Sequence, residues 1–517
     1  MRSTLIRRPA LGLTALAIAG LLIAACSSNP TSEGGGARPL ASASWSYPNG
    51  DLANTRDAAG SMVSLANVAK LKLAWTFKLS GTAASSLDGT GSLVSNPVVA
   101  GGLVYIQDLD SNVYALSLVT GKLKWEYTLN EPALIGPGPN GVAVSGGTVY
   151  GDAPRTAFAL SAATGKVRWV DHGLLHKGQG SLAIQPQAAG GRVYLASAYG
   201  SGPGGGVLFA LDAATGRMLW SFNTVQGPDP GAQVLKLGAG GAWQTPLVGT
   251  DGSVTFGIGN PYQSIGSAIK YPDRMLYTDS EVNLDAATGK LRWYYQAVPD
   301  DFKDYDMQAS PIAASIGGTG VVLGAGKMGY VYAMNAGTGK LIWKTPVGRH
   351  DGRDNDSLLL TEHRDVIKLP YTYEPGPVGG VLTNIAMAGD SVYVATVDFP
   401  FTFKKPGQVL GVPAGAPTGE VECLNLATGK VEWDTKVPSM PLGAVTISND
   451  LVFTTLFDGT LVAFNRSTGT IVHQQKLPTS ANAPIAIAGN TIIVPAGGPE
   501  ASSTDKGNPQ LVAYTVP

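Results

Sequence analysis

The densest polar constellation in the sequence is Pro299-Asp300-Asp301-Phe302-Lys303-Asp304-Tyr305-Asp306. Carboxylates two residues apart can converge on a hard cation, and one of them could serve as a general base. Taken alone, the stretch also reads as an ordinary solvated acidic loop. Three residues elsewhere have chemistry that could join it. Asn260, in Gly257-Ile258-Gly259-Asn260-Pro261, offers an amide oxygen, and Lys327, in Gly324-Ala325-Gly326-Lys327-Met328-Gly329, a single cation on a glycine-lined turn. Trp243 offers an aromatic face. The plain alternatives are an exposed lysine and a core tryptophan. Whether these groups meet depends on the elements that carry them.

Those elements follow from a repeat. Ala210-Leu211-Asp212-Ala213-Ala214-Thr215-Gly216-Arg217-Met218-Leu219-Trp220 reads as a strand, a tight turn and a second strand. Asp212 can hydrogen-bond the turn backbone, Gly216 supplies the positive φ, and Met218 and Trp220 share one face of the second strand. The pattern recurs with Trp125, Trp169, Trp293, Trp343 and Trp433, each four residues after the glycine of a Thr-Gly pair, and once more with His473 in the aromatic position. A self-similar period of roughly 40–50 residues marks an array whose units cannot bury their apolar faces alone. An eighth half-copy is split between the ends, with Leu73-Ala74-Trp75 as an outer strand and Leu511-Val512-Ala513-Tyr514 as a first half. Joined, they close a ring and remove exposed sheet edges. The expected fold is all-β, an eight-bladed β-propeller with tryptophan-docking repeats, closed by N- and C-terminal strands sharing one blade.

Strand alternation assigns the loops to faces. If strands A to D of a blade run up and down in turn, A–B and C–D turns lie at one face, and B–C loops and D–A links at the other. The Thr-Gly turns are all C–D. The insertions at 260–277 and 399–418 are B–C, and the connections 297–308 and 348–377 are D–A, so every long connection shares the second face. Asn260, Lys327, Trp243 and the 300–306 acids all fall there, where function is expected on loops held by a rigid scaffold.

Bulk properties narrow the partners. Charged residues make up 14% and hydrophobic residues 44%, with 68 glycines, which suits many short strands joined by tight turns. The formal charge of −1 and the lack of a basic cluster in the body speak against a nucleic-acid partner. Residues 1–25 read as a lipoprotein signal peptide: Arg2, Arg7 and Arg8 precede an apolar run ending Ile23-Ala24-Ala25-Cys26, where small residues before a cysteine resemble a lipobox. Cys26 is the expected lipid attachment point, 26–44 a flexible tether and 45–517 the propeller domain. This places the chain outside the cytoplasm, anchored to a bacterial cell membrane by lipid. The other cysteine, Cys423, is expected to pack in a strand, and no Cys-x-x-Cys-His haem attachment motif occurs.

The Thr-Gly-x-x-x-Trp repeats resemble the tryptophan-docking motifs of quinoprotein alcohol dehydrogenases, propellers that bind pyrroloquinoline quinone (PQQ). The resemblance runs from Trp45 to the C-terminus, and the loop residues make it more specific. It implies Asp304 as catalytic base, Asn260 as amide ligand to the metal, Trp243 under the quinone ring and Lys327 at the quinone oxygens. Asp306 matches an extra carboxylate that accompanies lanthanide rather than calcium use. The metal set is thus Asn260, Asp304 and Asp306, and the cofactors PQQ with a calcium or lanthanide ion. Three family features have no counterpart. Gly136-Pro137-Gly138-Pro139 lies where an adjacent-cysteine pair is expected, Ser201 where a metal-binding glutamate is expected, and Val94-Ser95-Asn96 precede Pro97 without an acid.

The resemblance implies hydride transfer from an alcohol or related hydroxyl substrate to PQQ, with electrons passed on to a separate cytochrome or quinone. A polymer-acting relative would differ only in how open the 348–377 and 399–418 loops leave the funnel. A cofactor-free propeller lipoprotein, a scaffold similar to outer-membrane assembly propellers, is the alternative from a different class.

Overall fold

At the Asp212 turn, one carboxylate oxygen accepts the backbone N–H of Ala214 (3.1 Å) and Thr215 (2.9 Å) and the Thr215 hydroxyl (2.8 Å). Gly216 sits at φ +76°, as the turn requires. The computed structural model describes residues 39–79, 93–129, 131, 140–198, 205–225, 239–270, 275–497 and 509–517. The chain divides into two units, Met1–Gly35 and Gly36–Pro517, and all described residues belong to the second. Cys26 and most of the 26–44 tether therefore lie outside the described residues.

Among the described residues, eight sheets follow a four-strand antiparallel path, seven of them in chain order. Seven indole N–H groups tie each sheet to the next by donating to a backbone carbonyl of its Thr-Gly turn region. Trp75 reaches Leu118 (2.8 Å), Trp125 Ala162 (2.9 Å), Trp169 Ala213 (3.0 Å) and Trp220 Ala286 (3.1 Å). Trp293 reaches Ala336 (2.7 Å), Trp343 Leu426 (2.9 Å) and Trp433 Arg466 (3.0 Å). The same rings explain the glycines. A Cβ on Gly289 would lie 2.7 Å from the Trp220 ring, and one on Gly339 2.6 Å from that of Trp293.

The split sheet closes as expected. Lys72–Lys78 pairs antiparallel with Gln510–Thr515, which continues to Thr491–Ala496 and Ala486–Ala488. The innermost strands Ala486–Ala488 and Val98–Ala100 then touch, joining last sheet to first. This sheet takes its two outer strands from opposite ends of the chain, so it has no Thr-Gly turn to receive an indole. The preceding repeat carries His473 instead of tryptophan, and the His473 Nε2 is buried without a hydrogen-bond partner. Burial lowers the pKa of this imidazole.

The centre of the ring is filled by residues 45–58. The sequence reads this stretch as turn-rich chain wrapping on before the first complete blade; in the structure its polar residues form a hub instead. All five N–H groups of the fully buried Arg56 are used: to Val445 O (2.7 Å), Asn49 Oδ1 (2.9 Å), Asn96 Oδ1 (2.7 Å), Thr446 Oγ1 (2.6 Å) and Ile485 O (2.8 Å). Asn54 donates to Pro311 O (3.0 Å), and Asn384 donates to Asn49 (3.0 Å). Asn96 passes the network to Gln185 (2.8 Å), which reaches Val142 O (3.0 Å). These contacts fall at or just before the starts of inner strands, so one segment sets their spacing around the axis.

The long connections meet on one face, as alternation requires. The 260–277 insertion carries a short helix, Ile265–Lys270, and the 348–377 connection another, Asp356–Thr361. Tyr371–Tyr373, Phe401–Phe403 and Val412–Pro413 form a small extra sheet spanning two of the connections. Backbone bonds from Ile265 to Gln408 (3.1 Å) and Gly266 to Pro406 (2.7 Å) add the third. This cap has its own apolar core, in which Phe302 from the acidic loop packs with Ile265, Leu360, Tyr371, Tyr373 and Phe403.

Two substitutions separate hub from ring. Arg56→Ala strands five buried acceptors and should cost more than about 3 kcal/mol in urea unfolding, whereas Trp433→Phe loses one docking bond and should cost about 1 kcal/mol. Equal losses would deny the hub its role.

Candidate active site

The acidic loop is held from both sides before it offers any chemistry. The Asp301 carboxylate accepts the backbone N–H groups of Lys303 and Tyr305, both at 2.8 Å, folding the loop around itself. Lys303 is buried, donates to Arg353 O (2.7 Å) and lies within 6 Å of the ring centres of Phe302, Tyr305, Tyr371 and Tyr373. The Tyr305 hydroxyl donates to Pro375 O at 2.9 Å. Between these anchors Asp304 adopts φ +65°, a left-handed conformation uncommon outside glycine.

That conformation presents Asp304 to two other loops. Its carboxylate accepts Asn260 Nδ2 (2.6 Å) and faces Lys327 Nζ (3.0 Å). Asp306 accepts both the backbone N–H (2.8 Å) and Nδ2 (3.0 Å) of Asn260, and its other oxygen lies 2.6 Å from Lys327 Nζ. The Lys327 N–H donates to the Asp306 carbonyl (3.0 Å), fixing the turn. Asn260 Oδ1 accepts the N–H of Tyr262 (2.6 Å). Trp243 is half-buried and packs against Gly259. A Cβ there would lie 2.7 Å from the indole edge and 2.6 Å from Asp306 Oδ1, so glycine is required for the close approach. Asp304, Asp306, Asn260, Lys327 and Trp243, the candidates within the propeller, all meet.

Burial raises Asp304 to about 7; Lys327 opposes the rise and Asp306 adds to it. Burial alone would lower Lys327, but the two carboxylates hold it above its ordinary value. Two neighbouring acids join the cluster: Asp301, part of the acidic stretch but given no role from sequence, and Asp279, not foreseen from sequence. Asp301 is pushed up to about 8 by burial, against the pull of its two backbone donors. Asp279 is raised well above the usual range by burial and by Asp301, Asp306 and Asp304, and neither of its carboxylate oxygens has a hydrogen-bond partner. Its position at the end of a B–C insertion was the available signal. One ammonium thus faces an excess of carboxylate oxygen. Carboxylate oxygens gathered in this way fit a hard cation such as calcium or a lanthanide, although Asn260 turns its Nδ2 rather than its oxygen to them, and the half-buried indole beside them fits a flat aromatic cofactor.

Of the three missing family features, Gly136 to Pro139 and Ser201 lie outside the described residues. Asn96 is described, and its amide accepts from Arg56 in the hub.

Residues 45–144 and 185–349, just over half of the chain, match the family model for the β-propeller domain of glucose/ethanol/alcohol dehydrogenases, designated PQQ. The chain belongs to this PQQ dehydrogenase β-propeller family. All five residues that meet at the site lie within the matched segment 185–349. A second model, outer membrane protein assembly factor BamB, matches residues 374–513, which contain none of them. Lupanine 17-hydroxylase [cytochrome c] of a Pseudomonas species is 26% identical over 92% of this chain and 75% of its own length. The quinohemoprotein alcohol dehydrogenase of Comamonas testosteroni is 27% identical over 82% of this chain and 68% of its own. Among solved structures, quinohemoprotein alcohol dehydrogenase ADHIIG of Pseudomonas putida HK5 superposes with a TM-score of 0.77 at 21% identity, covering 92% of this chain and 80% of that one, a likeness of fold. For a PQQ-family propeller the charge balance at the mouth is the point to test. In metal-free protein, the Asp304 carboxyl band followed by infrared titration should have its midpoint near 7, and Lys327→Met should move it higher. An unmoved midpoint would show that Lys327 does not control Asp304.

Proposed function

We propose that this chain is an envelope-anchored quinoprotein dehydrogenase that oxidises an alcohol-type substrate, with Asp304 as the base. The observation that carries the reading is the buried meeting of Asp304, Asp306, Asn260 and Lys327 beside Trp243, from four separate connections on one face. Asn260, Asp304 and Asp306 would hold a calcium or lanthanide ion, and Trp243 and Lys327 would hold PQQ. Bound there, the quinone supplies a two-electron acceptor and the ion the Lewis acidity that polarises it. Asp304 takes the hydroxyl proton of the substrate on a carboxylate oxygen. Lys327 favours its ionised form, opposing the burial that raises it to about 7. The Asp301 turn and the Lys303 cage keep the carboxylate aimed, and Trp243 provides an apolar wall. Electrons leave to a separate cytochrome or quinone. The lipid on Cys26 holds the chain at the outer side of the bacterial cell membrane, so the acceptor is met at the membrane surface.

The match of residues 374–513 to an outer-membrane assembly factor supports a second reading, a cofactor-free scaffold. Purified full-length chain mixed with PQQ and either calcium or lanthanum should take up the quinone and oxidise alcohols with an artificial dye. Asp304→Asn should cut the turnover by about 10²–10⁴-fold. Absence of quinone uptake with both ions would favour the scaffold. Cys26→Ser should shift the protein from the membrane fraction to the soluble one; retention at the membrane would remove the lipid anchor.

A further inference from the structure

Among the described residues, one place brings three carboxylate side chains close enough to share an ion, and it lies away from the Asp304 site. Oxygens of Glu420, Glu422 and Asp434 lie within 4.8 Å of one another. The register explains how. In the sheet built from Ser391–Asp398, Thr418–Asn425 and Val431–Val437, Thr396 lies opposite Glu420, Glu420 opposite Lys436, and Glu422 opposite Asp434. With a side-chain period of two, Thr396, Asp398, Glu420, Glu422, Asp434 and Lys436 all share one face. Cys423 alternates to the opposite face.

This face is covered by the start of the 348–377 connection. The Gly348 N–H donates to Glu422 Oε1 (2.6 Å) and the Arg349 N–H to Asp398 Oδ1 (3.1 Å). A Cβ on Gly348 would lie 2.9 Å from Thr396 Oγ1 and 3.2 Å from Asp398 Oδ1, so the backbone presses directly on the group. Asp398, Glu420 and Glu422 are buried, at 3%, 5% and 4% exposure. The positive charges facing them are Lys436 Nζ, 2.9 Å from Glu420, and Arg349 Nε, 3.5 Å from Asp398, on side chains 66% and 52% exposed. Four carboxylates thus meet two cations that sit mostly in water. A second observation points the same way. Thr396 is fully buried, faces Glu420 across the strand pair, and its hydroxyl has no hydrogen-bond partner. A buried hydroxyl left unpaired beside buried carboxylates is what an oxygen-coordinated ion would satisfy.

We propose that Glu420, Glu422 and Asp434, with Asp398 and Thr396 beside them, form a second cation site, separate from the Asp304 constellation and suited to a hard divalent ion of the calcium type. The donors are all oxygens and no imidazole or thiolate shares the face, which disfavours zinc and copper. Several carboxylates in an irregular arrangement suit the larger, more adaptable coordination of calcium better than the strict octahedron of magnesium. The ion would clamp the cap to the ring. Gly348 opens the connection carrying Asp356–Thr361 and Tyr371–Tyr373, and Asp398 ends the strand that leads into Phe401–Phe403. The site stands whether or not the mouth of the ring binds a quinone.

Calcium stoichiometry on the chelator-stripped full chain tests this, by equilibrium dialysis with radiolabelled calcium and no quinone present. The wild-type chain should bind one more calcium than Glu420→Gln/Glu422→Gln, and a chain carrying Asp304→Asn and Asp306→Asn should keep that ion. Equal stoichiometry in wild type and E420Q/E422Q overturns the proposal. Should the buried changes prevent folding, two exposed positions decide. Asp434→Asn should weaken the binding of this calcium, and Lys436→Met, which removes a competing positive charge, should tighten it. Unchanged affinity in both would overturn the site, because a purely structural acidic patch has no reason to bind calcium more tightly when a lysine is lost.

Discussion

Lys327 holds a single positive charge between two buried carboxylates, 3.0 Å from Asp304 and 2.6 Å from Asp306. Such a group is expensive to assemble. Each charge gives up water, and removing one partner from a buried pair typically costs about 3–5 kcal/mol. It persists only if the three loops carrying it cannot relax away from one another. The rest of the architecture can be understood as the means of preventing that relaxation. Asp301 and the caged Lys303 fix one loop, the Asp306 carbonyl fixes the Lys327 turn, and the Asp306 carboxylate fixes the Asn260 backbone. The cluster is also not neutral. Its excess of carboxyl groups over cations, extended by Asp279, whose pKa burial and its acidic neighbours raise well above the usual range, is the property that makes a bound cation the natural complement of the site.

The scaffold achieves this rigidity by closure rather than by one large core. Apolar side chains are divided among several clusters, the biggest running through the closing sheet and its neighbours. Between sheets, indole N–H groups and the glycines beneath them set the spacing at the periphery. At the axis, Arg56 does the same with hydrogen bonds to neutral acceptors. Periphery and centre therefore constrain the same sheets from opposite sides; Trp243, Asp304 and Asp306 sit on links into inner strands, and Asn260 and Lys327 on loops between second and third strands.

Much of this was legible because it is local and repeated. A Thr-Gly turn with a tryptophan four residues later specifies its own strand pair, and the split half-copies at the two ends predicted that their strands share one sheet, as Lys72–Lys78 and Gln510–Thr515 do. Loop faces followed from strand direction alone, which brought Asn260, Asp304, Asp306, Lys327 and Trp243 to one side without knowledge of any distance. The hub was not legible in the same way. Asn49, Asn54 and Arg56 look like turn and surface residues in sequence, and their partners are up to 429 residues away. Asp279 was passed over, and Asp301 given no role, for a related reason: acids on loops read as solvated until burial is known. Glu420 and Glu422 alternate along a strand as a solvent-facing pair would. Only the covering loop at Gly348 shows that they are inside.

In the proposed function the surplus carboxylates at Asp304 and Asp306 are there to hold an ion beside a quinone resting on Trp243. A crystal of the chain grown with PQQ and a lanthanide, measured at the metal absorption edge, addresses it directly. An anomalous peak bonded to oxygens of Asp304, Asp306 and Asn260 is expected, with the quinone plane stacked on the Trp243 indole. A lanthanide found only elsewhere, with Lys327 still bridging both carboxylates and no quinone density over Trp243, would contradict it.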